Sequence, residues 1–96
     1  MIVSNKELTE IAWIDTSGGY DFDTVIILKD PDTGKYFAGH DSGCSCPTPF
    51  EGMNDLSDWT EIHSKNEAID FAKRNLWGFN ADDSINLMTQ LNNNWN

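Results

Sequence analysis

Residues 24–40 read TVIILKDPDTGKYFAGH, and this stretch decides the fold. Residues 24–28 are β-branched or apolar at every position, which is typical of a central strand buried on both faces. The segment Asp30-Pro31-Asp32-Thr33-Gly34 predicts a turn, because Pro fixes its own φ, Asp caps the turn and Gly takes the left-handed conformation. Residues 35–40 then return as the next strand. The stretch therefore predicts a β-hairpin.

Weaker patterns on both sides extend this hairpin into a small α+β fold. Residues 7–15 alternate loosely and predict a strand, which a turn at residues 16–19 connects to the hairpin. Residues 59–63 predict a fourth short strand or an extended entry to the first helix. We expect a small antiparallel β-meander of three to four strands followed by two C-terminal helices, in a single domain spanning residues 1–96.

The two helices are predicted from their caps and apolar stripes. Ser64 and Glu67 match the Ser-x-x-Glu capping box, and Gly78 is placed to end the first helix. The second helix begins after Asn80, with acidic residues in its first turn. Its predicted buried stripe is Ile85, Met88, Leu91 and Trp95, and Trp95 could pin down the Asn-rich tail. The stripe of the first helix is Ala68, Phe71, Ala72 and Leu76, and Trp13, Trp59 and Trp77 are also predicted to be core residues.

The chain is strongly acidic. Its 96 residues include sixteen Asp and Glu against six Lys and Arg, for a net charge of −10. This charge argues against direct binding to nucleic acid or to an anionic membrane, and it favours a partner with a basic patch. There is no apolar run of the ~18 residues that a membrane span needs, and the N-terminus lacks a secretory pattern. We therefore expect a cytoplasmic protein.

Residues 41–51, DSGCSCPTPFE, carry the most unusual chemistry of the chain, and His40 directly precedes them. Cys44 and Cys46 would close a strained ring as a disulfide, so a reducing compartment fits them better. The simplest interpretation is structural. Asp41 and Ser42 bond back to the loop backbone, Gly43 takes a positive φ, Pro47 and Pro49 stiffen the exit, and Phe50 plugs the loop onto the core.

Two chemical alternatives concern the cysteines. Cys44 and Cys46 could join His40 and His63 in a zinc site of two sulfurs and two nitrogens, although zinc sites usually separate two cysteines by two to four residues. A catalytic thiolate is a weaker alternative, because the acids that flank the loop oppose the low thiol pKa that such chemistry needs. We expect no cofactor and no catalytic residue.

Recognition is compatible with the structural interpretation. A loop stiffened by proline, with an aromatic tip and acidic flanks, could dock on another protein at a low entropic cost. The candidate interaction residues are Asp41, Cys44, Cys46, Pro47, Pro49, Phe50 and Glu51.

Tyr20-Asp21-Phe22-Asp23 pairs two carboxylates with two rings just before the central strand. The acids could bind a divalent cation together with Asp41 or Asp30. The simpler interpretation places the acids at a solvated strand start and the rings in the core.

These two motifs together, at residues 20–23 and 41–51, resemble a family of small uncharacterised bacteriophage proteins, mainly from phages of actinobacteria. The resemblance covers roughly residues 20–75, and its most specific part is Ser42-Gly43-Cys44-Ser45-Cys46-Pro47. It implies a phage-encoded protein that works in the host cytoplasm, and it implies no activity.

Size, charge, the stiff loop and the lack of an assembled catalytic set favour a non-enzymatic protein that acts by binding. With the phage origin that the resemblance implies, we expect a phage accessory protein that binds a host or phage protein, for example to inhibit a host or defence factor. Electrostatic steering would precede docking of an apolar anchor, with Phe50, Asp41 and Glu51 in the contact. The alternatives are the zinc-binding module described above and a minor virion component. The sequence leaves the oligomeric state open.

Overall fold

The computed structural model describes residues 1–16, 21–44, 50 and 52–95, without the side chain of Cys44. Within these residues the strands are β1 (Ile2–Val3), β2 (Lys6–Glu7), β3 (Thr9–Asp15), β4 (Asp21–Lys29), β5 (Tyr36–Cys44) and β6 (Thr60–Ile62), and the α-helices are α1 (Lys65–Asn75) and α2 (Ala81–Asn94). A single 3-10 helical turn, Leu56–Asp58, precedes β6. Strands β3, β4, β5 and β6 pair in that order as an antiparallel sheet. The predicted α+β meander with two C-terminal helices is confirmed.

The predicted central hairpin is confirmed as β4 and β5. Lys29 pairs with Tyr36 at the closed end, and Gly34 has a φ of +74°. The carboxylate of Asp30 accepts the backbone N–H of Asp32 at 2.9 Å and an ammonium hydrogen bond from Lys6 at 2.7 Å. Asp30 is 3% exposed, so this turn is fixed by a buried carboxylate.

Both faces of the sheet are covered, which explains the continuous apolar sequence of β4. Val25 and Ile27 point to the face on which α1 and α2 pack. Ile26 and Leu28 point to the other face. That second face is covered by residues from the N-terminus and from the segment before β6, namely Val3, Leu8, Phe50 and Trp59.

The N-terminal cover is a hairpin of β1 and β2 that the sequence pattern did not predict. Its two turn residues, Ser4 and Asn5, have φ values of 52° and 61°, as a two-residue type I′ turn requires. Ser4 donates its backbone N–H to the carbonyl of Asn54 at 2.7 Å, and its hydroxyl accepts the N–H of Leu56 at 3.0 Å. The hairpin is thereby attached to the segment that precedes β6.

Helix α1 follows the prediction closely. Ser64 is its N-cap and accepts the backbone N–H of Glu67 at 3.2 Å. The carboxylate of Glu67 accepts the backbone N–H of His63, one residue before the cap. In the predicted capping box it would accept the backbone N–H of Ser64. The predicted stripe is buried as Ala68, Phe71, Ala72 and Leu76.

Helix α2 is rotated relative to the prediction. Asn80 and Asp83 form a reciprocal capping box, but Ile85 is 66% exposed and Leu87 is fully buried. Leu87 and Leu91 form the buried stripe, because their spacing of four residues places them on one face, from which Ile85 points away. Trp95 follows the helix and stacks on Tyr36 with ring centroids 3.7 Å apart, which confirms that it fixes the tail.

Polar side chains of α2 cover the outer edge of β3. Gln90 accepts the backbone N–H of Trp13 at 2.9 Å and donates to its carbonyl at 2.8 Å. Asn94 donates to the carbonyl of Ile11 at 3.0 Å. These bonds occupy backbone groups that an edge strand would otherwise expose.

Neither helix in the described part of the chain is long and apolar enough to cross a membrane.

Candidate binding surface at the acidic end of the sheet

Two motifs that lie apart in the sequence form one end of the sheet. Residues 21–24 of β4 run antiparallel to residues 41–44 of β5. The Cα partners are Asp21 with Cys44, Phe22 with Gly43, Asp23 with Ser42 and Thr24 with Asp41. The segment predicted as a loop from residue 41 therefore begins as a strand. The reason is that β4 starts at Asp21, three residues earlier than predicted, and supplies the backbone partners that β5 needs beyond His40.

Asp23 connects this end of the sheet to the chain after α1. Its Oδ1 lies 2.5 Å from Nε2 of His40, and its Oδ2 accepts the backbone N–H of Trp77 at 2.8 Å. The two side chains of the Asp23–His40 pair are 16% and 25% exposed. The sequence suggested a solvated or cation-binding acid at this position. In the structure both carboxylate oxygens hold protein groups, so Asp23 fixes the position of the Trp77 backbone.

Trp77 presents its ring to solvent. Its exposed fraction is 86%, and that of Trp13 is 48%, so the prediction that both are core residues was wrong. The prediction for Trp59 was right, since it is 6% exposed. Trp77 lies in the connection between the two helices, next to Gly78, whose φ is +75°.

A shallow depression lies beside Trp77. It is lined by Asp21, Phe22, Asp23, Ser42, Gly43 and Trp77, and its volume is about 430 Å³. We call these six residues the acidic end of the sheet. Phe22 is 8% exposed, and a Cβ added to Gly43 would lie 3.5 Å from its ring. The depression therefore combines an exposed indole with the carboxylate side chains of Asp21 and Asp23, a combination that suits a cationic group.

Asp41 closes the start of the predicted interaction loop. Its Oδ2 accepts the backbone N–H of Phe50 at 2.8 Å, and its Oδ1 accepts that of Ser42 at 3.0 Å. The expectation that Asp41 bonds back to the loop backbone is confirmed. Gly43 lies in β5 as an extended strand residue, so the expectation of a positive φ there was wrong. The positive φ is found at Phe50, at 67°.

Phe50 is buried, as the structural interpretation of the loop predicted. It is 5% exposed and stacks on Trp59 with ring centroids 5.5 Å apart. A ring in this position is not available as the apolar docking anchor that the recognition hypothesis assigned to it. The other candidate interaction residues, Cys46, Pro47, Pro49 and Glu51, lie outside the described residues, and so does the side chain of Cys44.

The proposed zinc ligands do not converge within the part of the chain that the structure describes. His63 follows Ile62, whose partner in β5 is Tyr36, so His40 lies five strand positions away, about 17 Å. One ion with ligand bonds of about 2 Å cannot reach both imidazoles. His63 is exposed beside Glu61, at 3.7 Å, and His40 bonds to Asp23. The described residues contain no group of three His, Cys, Asp or Glu that could hold a metal ion.

A second surface cleft lies between β6 and α1 and was not anticipated from the sequence. It is lined by Thr60, Glu61, Ile62, Glu67, Asp70, Lys73 and Arg74, with a volume of about 630 Å³. We call it the edge groove. The signal in the sequence was Lys73-Arg74, the single pair of adjacent basic residues in the chain.

Comparison with known proteins gives a family for this chain. No curated protein and no solved structure matches it. A family model described as a domain of unknown function, DUF7574, matches residues 3–92 and thus nearly the whole α+β unit. The chain therefore belongs to the DUF7574 family.

Proposed function

We propose that this chain is a non-enzymatic phage accessory protein that binds a host or phage protein through the acidic end of its sheet. The observation that carries the proposal is the position of Trp77. Its ring is 86% exposed while its backbone is held by Asp23, itself anchored in β4. An exposed tryptophan on a backbone segment that is held in place is a suitable interaction hot spot, because the segment itself needs little ordering on binding.

The partner in this proposal carries Lys or Arg side chains. A cation placed over the Trp77 ring gains roughly 0.5–1 kcal/mol at an exposed site. Asp21 and Asp23 line the same depression and provide complementary negative charge. The net charge of −10 steers a basic partner toward the protein over longer distances, and this contribution weakens as salt is added.

A binding role is favoured over catalysis by what the polar groups at this end already do. The carboxylate of Asp23 is shared between His40 and the Trp77 backbone, and the carboxylate of Asp41 is shared between two backbone N–H groups. These side chains hold structure together, which leaves the indole and its acidic surroundings as the distinctive chemistry. Phage origin and action in the host cytoplasm rest on the resemblance of the two motifs. Inhibition of a host or defence factor is one outcome that such binding would have.

Calorimetry with a capped basic peptide of sequence GKRKG tests the chemistry of this surface. We expect binding at low salt that Trp77→Ala weakens about fivefold, in keeping with the loss of a cation–π contact of about 1 kcal/mol. Trp13→Ala is the matched control, since it removes another exposed indole from a different part of the sheet. Equal binding by the wild type and Trp77→Ala would contradict the proposal.

Affinity capture from phage-infected cells tests whether the protein has a partner of this kind. The wild-type protein should recover a host or phage protein with a basic patch, and Trp77→Ala should recover it in much lower yield. A partner retained equally by Trp77→Ala would place the interaction elsewhere on the molecule.

A further inference from the structure

The two edges of the sheet differ in how their outer backbone groups are covered. At the β3 edge, Gln90 and Asn94 of α2 bond to the backbone of Trp13 and Ile11. At the β6 edge, α1 stands off from the strand and leaves the edge groove, with a volume of about 630 Å³. Within the described residues no further strand pairs with β6, and a strand edge beside a groove is a place where another extended chain can bind.

The backbone of Glu61 faces this open edge. The N–H of His63 bonds to Glu67 of α1 and so points away from β5. Since N–H groups alternate in direction along a strand, the N–H and C=O of Glu61 point the same way. An added antiparallel strand would therefore form its close pair of hydrogen bonds with Glu61.

The charges of the groove are ordered along α1. Glu67 lies near the Ile62 end of β6, where it reaches His63. Arg74 lies seven residues further, about 10 Å along the helix. The chain after α1 then reaches Asp23, whose partner in β5 is Ser42. Thr60 pairs with Ala38 and Ile62 with Tyr36, so the C-terminal end of α1 lies toward the Thr60 end of β6. Asp70 lies between Glu67 and Arg74, about one turn before Lys73 and Arg74, so the groove is acidic from the Ile62 end to its middle and basic at the Thr60 end.

Lys73 and Arg74 form no ion pair with the described residues. Arg74 donates to the carbonyl of Asp70 at 3.3 Å. In a chain with sixteen acids and six bases, two adjacent cations without a carboxylate partner favour an acidic group in the ligand.

A second copy of this chain fits the edge poorly. Symmetric antiparallel pairing through the outward backbone of Glu61 would place Glu61 directly opposite its own copy. Like charges at directly opposite strand positions are destabilising, and each copy also carries a net charge of −10. The occupant should instead place a cation opposite Glu61.

We propose that the edge groove binds an extended segment of another protein as an added antiparallel strand, with a basic residue opposite Glu61 followed directly by an acidic residue. Glu61 pairs with Phe37 and shares its face, so the basic residue lies on the side away from the helices. The next residue pairs with Thr60 on the helix side, at the end of the groove where Lys73 and Arg74 lie. The recognition element is thus Lys or Arg followed by Asp or Glu in a β-forming context.

Fluorescence polarisation with a labelled, capped peptide of sequence TVKDVT tests this proposal, with the charge-swapped peptide TVDKVT as the ligand control. We expect TVKDVT to bind the wild type and TVDKVT to bind at least about tenfold more weakly. Lys73→Glu and Arg74→Glu should each weaken TVKDVT about tenfold, while Lys35→Glu, the same charge change at an exposed site outside the groove, should have little effect. Equal binding of the two peptides, or equal effects of the three variants, would overturn the proposal.

Backbone pairing has its own readout. Glu61→Pro removes the outward N–H and retains the bonds of Thr60 and Ile62 to β5, so it should abolish peptide binding, whereas Glu61→Gln should retain most of it. A thermal melt confirms that each variant is folded. Retained binding by a folded Glu61→Pro variant would exclude strand addition. Sedimentation showing a dimer that Glu61→Pro dissociates would overturn the proposal in favour of a second copy.

Discussion

The carboxylate of Asp23 accepts the backbone N–H of Trp77 at 2.8 Å, across 54 residues of sequence. This bond joins the start of the central strand, β4, to the connection between the two helices. His40, from the neighbouring strand, contacts the other oxygen of the same carboxylate. One side chain therefore fixes the relation between the sheet, the helices and the exposed indole on which the proposed function depends.

Asp23→Ala should destabilise the protein and release the Trp77 segment. Hydrogen bonds to a charged group contribute about 1.5–3 kcal/mol, and His40 would remain partly buried without its partner. We expect a loss of about 2 kcal/mol in the free energy of unfolding, measured by urea denaturation. Glu10→Ala, which removes an exposed acid of β3, is the matched control. An Asp23→Ala variant as stable as the wild type would show that the bond does not hold this end together.

The face of α2 that packs on the sheet can be tested by two alanine substitutions. Leu87→Ala removes a fully buried side chain and should cost about 2–5 kcal/mol. Ile85→Ala removes one that is 66% exposed and should change stability by less than about 0.5 kcal/mol. The reverse order in chemical denaturation would mean that α2 is rotated as the sequence pattern first indicated.

The polar cover of the β3 edge should contribute to stability and to solubility. Gln90→Ala leaves the N–H and C=O of Trp13 without their side-chain partners and should cost about 1 kcal/mol. The open edge should also raise the rate of aggregation at high concentration, measured by light scattering. Asn93→Ala, an exposed position of the same helix, provides the baseline. Identical behaviour of the two variants would show that the edge needs no cover.

The Lys6–Asp30 pair predicts a specific acid response. The ammonium of Lys6 at 2.7 Å, together with the N–H of Asp32, lowers the pKa of Asp30 from 3.8 to about 2. A carboxyl whose pKa is lower in the folded state stabilises the fold above its unfolded pKa, and this stabilisation is lost as the pH falls toward the folded value. The stability difference between the wild type and Asp30→Asn should therefore be constant above pH ~5 and shrink between pH ~4 and ~2.

Urea denaturation of both proteins across that pH range measures the difference. A difference that does not change between pH ~5 and ~2 would show that Asp30 is not ionised preferentially in the folded state. The same pair raises the pKa of Lys6, because its ammonium bonds to Asp30. Its contribution is present below the unfolded value of 10.5 and should be lost as the pH rises above it.

The parts of the fold that the sequence predicted are those with strong local signals. The turn at Asp30–Gly34 and the caps at Ser64 and Asn80 depend on residues a few positions apart, and the structure contains all of them. The apolar residues of β4 predicted burial on both faces. Each of these features follows from backbone chemistry that acts within one turn or one strand.

The features that the sequence did not predict depend on partners distant in the chain. Residues 41–44 lack an apolar alternation, and they form a strand because residues 21–24 lie beside them. Strands β1 and β2 have two residues each, which is too short for a periodic pattern. For α2, the sequence allows one apolar stripe that contains Ile85 and another that contains Leu87. Packing of the helix on β3 decides that Leu87 is the buried one.

The sequence predicted only part of the candidate site, because the rest depends on contacts between residues distant in the chain. The sequence marks the two motifs as unusual, but it does not show that residues 21–24 pair with residues 41–44, or that Trp77 bonds to Asp23 across 54 positions. Tryptophan is most often a core residue, so its identity alone favoured burial. Trp77 lies in the connection after α1, which the sequence indicated through Gly78 without showing which side chain would face solvent.

The most direct test of the central claim is an NMR titration that follows the four indole N–H signals while the GKRKG peptide is added at low salt. We expect the signals of the Trp77 indole and of the Ser42 and Gly43 amides to shift together and saturably, while the signal of the buried Trp59 indole does not move. Shifts that leave Trp77 unaffected, or that spread evenly over the acidic surface, would contradict it.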